Sequence, residues 1–229
     1  MFIGREAELK FLNDKYKEEK GQLIVLYGRR RVGKTETLRE FCKGKPHVFY
    51  ACTQTTDQVQ LRNFSERMFK ENIPAKQYIS AFTDWERALR SVMELPFGDA
   101  KKLLVIDEFP YMCKGNRSIP SVLQNLWDSE LREQNVMIIL CGSAMSFIEK
   151  DLLSEKNPLY GRATGIYKMK EMGFYDAMKF FPGVFCTRSG AGIFRAGRSS
   201  SLPEAVESRL VCGGKYQGAC IDKGLYSLQ

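Results

Sequence analysis

Short apolar runs alternate with longer stretches of helical periodicity along the first 182 residues of the chain. Each apolar run is continuous, which is typical of a strand buried on both faces of a parallel sheet. The stretches between the runs carry apolar residues three and four positions apart and predict amphipathic helices. Strands are predicted at 22–27, 47–52, 101–108 and 136–141, and helices at 5–17, 36–41, 58–70 and 119–131. The alternation predicts an α/β fold, a three-layer sandwich with a central parallel sheet.

The segment that follows the first predicted strand matches the phosphate-binding pattern G-x-x-x-x-G-K-[ST] in full. Its glycines allow the backbone to curl so that successive N–H groups converge on phosphate oxygens. Lys34 can reach the β- and γ-phosphates, and the Thr35 hydroxyl can bind Mg²⁺. The next helix points its positive N-terminus at the same phosphates. The predicted nucleotide contacts are Gly28, Arg29, Arg30, Arg31, Val32, Gly33, Lys34, Thr35 and Glu36.

Two adjacent acids end the apolar run at 101–108. Ligands of open α/β sheets bind at the carboxyl ends of the strands, where this pair is predicted to lie. Asp107 would bind Mg²⁺ through a water molecule beside Thr35, and Glu108 would orient and deprotonate the attacking water. The alternative is that Asp107 and Glu108 only end a strand and begin a turn before Pro110.

A further polar residue follows the predicted strand at 136–141. In nucleotidases with an inserted strand, a polar residue at this point senses the γ-phosphate, and Ser143 is the first candidate here, with Ser146 as the second. The alternative is that Ser143 caps a helix predicted over 144–150, because serine is a favoured N-cap residue.

Five segments in a fixed order carry a resemblance to a known family. They are 2–9, 26–35, Val105-Ile-Asp-Glu-Phe-Pro110, Cys141-Gly-Ser143 and Pro158-Leu-Tyr-Gly-Arg162. From residue 1 to about residue 182, the sequence resembles the archaeal ATPase family, an AAA-related branch of the STAND nucleotidases. The resemblance implies a P-loop NTPase core of the ASCE/AAA-like type. It also implies that an extra strand lies between the phosphate-loop strand and the strand that ends at Asp107.

The resemblance extends the predicted site to three residues outside the two nucleotide motifs. It implies that Gly4 and Arg5 lie near the adenine end of the nucleotide. It also makes Arg162 a candidate arginine finger or sensor, which would stabilise charge on the transferred phosphoryl group. The alternative for Arg162 is a surface arginine that follows a turn.

Composition excludes some chemistry and leaves other possibilities open. The chain has a formal net charge of +8, which permits contact with nucleic acid without requiring it. Its seven cysteines show no paired C-x-x-C spacing and its one histidine is His47, which argues against a His/Cys metal site. No signal peptide and no apolar run long enough for a membrane span are recognised, so a cytoplasmic protein without a membrane partner is expected.

The composition changes after residue 182, where eight of the nineteen glycines fall within residues 183–229. The resemblance implies a helical bundle and C-terminal modules here, and neither is recognisable. We predict an ATPase core over 1–182 and an atypical tail over 183–229 that packs poorly or is disordered. One hypothesis is that the tail is translated from a shifted reading frame, and the alternative is a divergent, loop-rich end.

The predicted function is a P-loop ATPase that hydrolyses ATP with Mg²⁺. The alternative is an ATP-dependent switch or scaffold with little turnover, or an inactive remnant, since the tail departs from the family pattern. A kinase is disfavoured because no acceptor-site signature is present. A DNA or protein partner could act through the missing C-terminal region, and assembly into an oligomer stays open.

Overall fold

The computed structural model describes residues 2–173, 176, 177, 179 and 180 with their side chains, and the backbone of two further strands. The strands are β1 Gln22–Tyr27, β2 His47–Ala51, β3 Lys102–Asp107, β4 Val136–Gly142, β5 Gly165–Lys168, β6 Val184–Arg188 and β7 Phe194–Arg198. The α-helices are α1 Glu6–Lys17, α2 Lys34–Cys42, α3 Asp57–Phe69, α4 Trp85–Arg90, α5 Phe109–Gly115, α6 Ile119–Ser129 and α7 Met145–Phe147. A π-helical stretch, Ile148–Leu152, continues α7, and short 3₁₀ segments lie at Pro74–Gln77, Ser91–Glu94 and Leu131–Glu133.

The first five strands form one parallel sheet in the order β2-β3-β4-β1-β5. β4 therefore lies between the phosphate-loop strand β1 and the acidic strand β3, as the family resemblance implied. Because all five strands run the same way, the residues that follow β1, β3 and β4 meet at one edge of the sheet. The α/β fold of the P-loop NTPases is confirmed.

Two apolar cores cover the two faces of this sheet. Alternate β1 residues point to opposite faces, so that Leu23 and Val25 join one core while Ile24 and Leu26 join the other. The first core contains side chains from α3, α4, α5 and α6, and the second contains side chains from α1 and α2. Every residue of β1 and β4 is buried, which explains why these strands read as continuous apolar runs.

The chain divides into two compact units, and the sheet belongs to the unit Glu6–Lys170. The other unit contains Met1–Arg5 and Glu171–Gln229, and within it β6 and β7 pair antiparallel from Val184↔Arg198 to Arg188↔Phe194. The sequence predicted no such pair of strands in the tail. Residues 199–229 and the reading-frame hypothesis lie outside the described residues, and the boundary at residue 182 stays a prediction. In the described part of the chain, no helix combines the length and apolarity that crossing a membrane requires.

Candidate nucleotide-binding site

The phosphate loop joins the end of β1 to the start of α2 and takes its shape from two glycines. A Cβ on Gly28 would lie 2.4 Å from the Met169 carbonyl oxygen, so a side chain cannot fit there. Gly33 has a φ of +91°, in the left-handed region that glycine adopts most easily. Arg31 also has a positive φ, +65°, and a non-glycine residue in that conformation is destabilised by about 1–2 kcal/mol. The strained turn is typical of a loop whose shape serves binding.

The N-terminus of α2 opens directly onto this loop. The helix begins at Lys34, and its first backbone N–H groups have no acceptor within the helix. The turn is closed by Thr37, whose backbone N–H and hydroxyl both donate to the Gly33 carbonyl at 2.9 Å. Together with the helix dipole, the unpaired N–H groups attract an anion to this end of α2.

Lys34 is a buried lysine that folds back over the loop. Its side chain is 6% exposed, and its ammonium group donates to the carbonyls of Gly28 at 3.0 Å and Arg29 at 2.8 Å. These two bonds use two of the three N–H donors of a lysine and hold its charge in the mouth of the loop. The third donor is suited to an anionic oxygen in the same place.

Thr35 and Asp107 supply two oxygen ligands that face each other. The Thr35 hydroxyl donates to the Asp107 carboxylate at 2.7 Å, and Asp107 is only 5% exposed at the end of β3. Hard oxygen donors of this kind suit Mg²⁺, which is usually bound by one or two protein oxygens together with phosphate oxygens and water. The donor set therefore fits the magnesium ion that the sequence predicts. When bound, the ion would supply positive charge for the β- and γ-phosphates.

Glu108 and Ser143 are brought together from the ends of two neighbouring strands. One Glu108 carboxylate oxygen accepts hydrogen bonds from the Ser143 backbone N–H at 3.2 Å and from its hydroxyl at 3.0 Å. Glu108 has a positive φ of +52°, a strained conformation at the junction of β3 and α5. Ser143 makes no N-cap bond to α7, whose N-cap is Ala144, so the capping alternative for Ser143 is wrong.

A buried thiol beside Asp107 was not recognised as part of the site from the sequence. Cys141, in β4, is fully buried and lies close enough to the Asp107 carboxylate to interact with it electrostatically. Burial raises the pKa of the Cys141 thiol well above its usual range, and the nearby Asp107 charge raises it further. The thiol is therefore neutral and can donate to Asp107. Its signal in the sequence was slight, since cysteine in an apolar strand is an ordinary core residue.

The remaining predicted loop contacts differ in how their side chains are placed. Arg29 and Arg31 are exposed, and Val32 is buried in the second core. The Glu36 side chain is exposed and pairs with Arg39 at 3.1 Å, so Glu36 contributes its helical backbone to the loop end of α2.

Arg162 is not brought to this site within one chain. Its guanidinium forms a two-pronged pair with Asp128 near the end of α6, with contacts of 2.6–2.9 Å. Thr164, two residues later, donates its N–H to the Leu23 carbonyl near the start of β1, whereas the phosphate loop follows the end of β1. Arg162 therefore lies at the opposite, amino edge of the sheet. Arg162 occupies the position expected of a surface arginine that follows a turn.

Gly4 and Arg5 belong to the other compact unit. Both have positive φ values, +71° and +66°, and Arg5 is buried. A Cβ on Gly4 would approach the Asp176 carboxylate carbon at 3.2 Å. Their predicted place beside the adenine stays a prediction.

A phosphate loop, the Thr35–Asp107 contact and an inserted strand together define a protein of the P-loop NTPase class. The sequence profile of one family, described as an ATPase domain predominantly from Archaea, matches residues 2–191. The chain belongs to this family, which is the family that the five sequence segments indicated.

Two relatives from Methanocaldococcus jannaschii illustrate the match. The uncharacterized protein MJECL04 is 33% identical over 182 residues, which are 80% of this chain and 38% of that protein. The uncharacterized ATP-binding protein MJ0423 is 53% identical over 45 residues, 20% of this chain and 76% of that protein. The chain thus aligns with little more than a third of the length of MJECL04.

Solved structures share the fold at low sequence identity. The Walker-type ATPase PABY2304 of Pyrococcus abyssi superposes with a TM-score of 0.58 at 22% identity, covering 78% of this chain and 57% of that one. The Orc1 protein of Aeropyrum pernix, solved in complex with DNA, gives 0.54 at 16% identity, covering 78% and 48%. At these levels of sequence identity, the structural similarity shows a shared fold and nothing about function.

Proposed function

We propose that this chain binds ATP with Mg²⁺ at the carboxyl edge of its sheet and hydrolyses it to ADP and phosphate. The observation that carries the proposal is the 2.7 Å contact between Thr35 and Asp107 beneath the helix N-terminus that begins at Lys34. It brings the predicted metal ligands from two distant parts of the sequence within one hydrogen bond of each other. Membership of an ATPase family supports the same activity.

Each residue of the site has a distinct task in the proposed reaction. The loop amides and the Lys34 ammonium bind the β- and γ-phosphate oxygens and stabilise the charge that spreads over them. Thr35 and Asp107 would hold Mg²⁺, which would supply positive charge for the phosphate oxygens. Glu108 orients a water molecule in line with the γ-phosphorus and accepts its proton. Ser143 contacts Glu108 and would sense the γ-phosphate.

A second candidate is a nucleotide-dependent switch with low turnover, as the STAND-like resemblance suggests. It is favoured by the pair of hydrogen bonds that Ser143 donates to the Glu108 carboxylate. A carboxylate whose oxygen is held by two donors is less free to meet a water molecule. In such a switch, ATP binding would cause a conformational change, and hydrolysis would require that Ser143 release Glu108.

Partners beyond ATP are proposed on weaker grounds. An archaeal Orc1 protein of the same fold has been solved with DNA, and this chain carries a net charge of +8. These observations support a test of turnover with and without DNA. A protein partner, self-assembly and a cytoplasmic location stay predictions.

The proposed function is tested by measuring nucleotide binding and phosphate release on the purified chain with Mg²⁺. Lys34→Ala should weaken ATP binding by at least about 100-fold, since it removes a charged donor from a buried phosphate site. Arg39→Ala is the control, because Arg39 is an exposed residue of the same helix that pairs only with Glu36 in the described residues. ATP binding that is equal in the parent and in Lys34→Ala would contradict the proposal.

A further inference from the structure

One arginine of the phosphate loop, Arg30, is held by a hydrogen bond to a residue outside the loop. The Arg30 guanidinium donates to the hydroxyl of Tyr111 at 3.2 Å, across 81 positions of sequence. Arg30 is the third residue of the loop, and Tyr111 lies in α5. The contact carries the guanidinium from the loop towards the helix that follows β3.

Tyr111 lies one helical turn after Glu108. Its backbone N–H donates to the Glu108 carbonyl at 2.9 Å, and the Tyr111 ring also lies 5.7 Å from the Lys114 ammonium. The Tyr111 contact therefore brings the guanidinium to α5, the helix that begins directly after Glu108, the residue proposed to hold the attacking water. Because that water must approach the γ-phosphorus, this contact directs Arg30 towards the γ-phosphate end of the proposed site.

The transferred phosphoryl group needs a positive charge that Arg30 can supply. Charge spreads over the oxygens of the transferred phosphoryl group, and a guanidinium placed there stabilises it. Arg162, which the sequence suggested for this role, pairs with Asp128 at the opposite edge of the sheet. Arg30 is a guanidinium that the chain itself holds at the correct edge, and its planar fork matches two phosphate oxygens.

We propose that Arg30 recognises the γ-phosphoryl group in cis and that Tyr111 is its positioning residue. This inference rests on the proposed function, because it assigns a role within the same nucleotide site. It predicts that Arg30 distinguishes ATP from ADP, whereas Lys34 and the loop amides bind both nucleotides.

The experiment measures the affinities of ATP and ADP in the Glu108→Gln background, where ATP is expected to stay intact, and compares their ratio among variants. Arg30→Ala should reduce the preference for ATP over ADP by about 10- to 100-fold, the range for losing charged hydrogen bonds. Arg30→Lys should restore part of the preference, because lysine keeps the charge and loses the fork. Tyr111→Phe should reduce the preference by a few-fold, about the effect of one neutral hydrogen bond.

Arg62→Ala is the matched control, since it also removes one exposed arginine and its partner Glu66 is 4.0 Å away. Melting temperatures of all variants identify any general loss of folding. An unchanged ATP-to-ADP ratio in Arg30→Ala would overturn the inference, as would equal weakening of both nucleotides. If the parent itself binds neither nucleotide, the proposed function fails, and this inference fails with it for that separate reason.

Discussion

At the carboxyl edge of the sheet, polar side chains from separate elements hydrogen-bond to one another, whereas at the amino edge oppositely charged side chains pair near the surface. The Thr35–Asp107 contact at the carboxyl edge involves an acid that is 5% exposed. At the amino edge, Arg162 and Asp128 have side chains that are 29% and 44% exposed. Partly exposed pairs of this kind contribute about 0–1 kcal/mol to stability.

Backbone strain also occurs at the carboxyl edge. The residues Arg31 and Glu108, both at the carboxyl edge, have positive φ values, each destabilising by about 1–2 kcal/mol. The Arg162–Asp128 pair instead joins a surface turn to α6 in an ordinary surface geometry. The comparison teaches that an arginine in a recognisable motif can serve the structure, and that the edge of the sheet a residue occupies decides whether it can take part in the proposed site. The predictions below test this difference between the carboxyl edge and the amino edge of the sheet.

The largest effect is expected from Asp107→Asn, which removes the charged metal ligand from the carboxyl edge. We expect the enhancement of ATP affinity by Mg²⁺ to fall by about 100-fold or more, because a neutral amide binds Mg²⁺ poorly. The measurement is ATP binding with Mg²⁺ and with excess EDTA. The control is Asp128→Asn at the amino edge, which should leave the Mg²⁺ effect intact, and equal effects of the two substitutions would abolish the distinction between the edges.

A smaller effect is expected from Ser143→Ala, which removes the hydroxyl bond to Glu108 and keeps the backbone one. We expect kcat to fall by about 10-fold with little change in KM, which is the behaviour of a group that acts on the reacting centre. Ser129→Ala is the control, since its hydroxyl bonds only locally to the Asn125 carbonyl in the described residues. A rise in kcat would instead favour the switch reading, in which Ser143 restrains Glu108.

The smallest effect on the nucleotide is expected from Arg162→Ala at the amino edge. Loss of the two-pronged pair should reduce the melting temperature by no more than a few degrees, since partly exposed ion pairs contribute little to stability. ATP affinity and single-chain turnover should stay within about two-fold, below the effect of one neutral hydrogen bond. A selective loss of turnover that depends on protein concentration would contradict this view and would place Arg162 in the site of a second copy.

Much of the fold could be predicted because its strands are buried on both faces. The apolar runs at β1 and β4 match the observed strands within one residue, and the resemblance supplied the insertion of β4 between β1 and β3. Periodicity alone cannot give strand order, since it reports burial and carries no information about neighbours.

The site could be predicted as far as its motifs extend. The Thr35–Asp107 contact follows from the two motifs and from the shared edge of a parallel sheet. The Tyr111 contact with Arg30 could not be predicted from the sequence, because it depends on α5 beginning directly after a strained Glu108. The place of Arg162 could not be predicted either, because a sequence motif records which residues are present and does not record which edge of the sheet they occupy.

The most direct test of the central claim is ATP turnover by Glu108→Gln. The account predicts that this variant binds MgATP about as tightly as the parent and releases phosphate at least about 100-fold more slowly, because the amide cannot accept a proton. Single-turnover experiments with radiolabelled ATP would follow bound ATP and released phosphate together. Phosphate release at the parental rate by Glu108→Gln would contradict the assignment of Glu108 and, with it, the proposed mechanism of hydrolysis at this edge of the sheet.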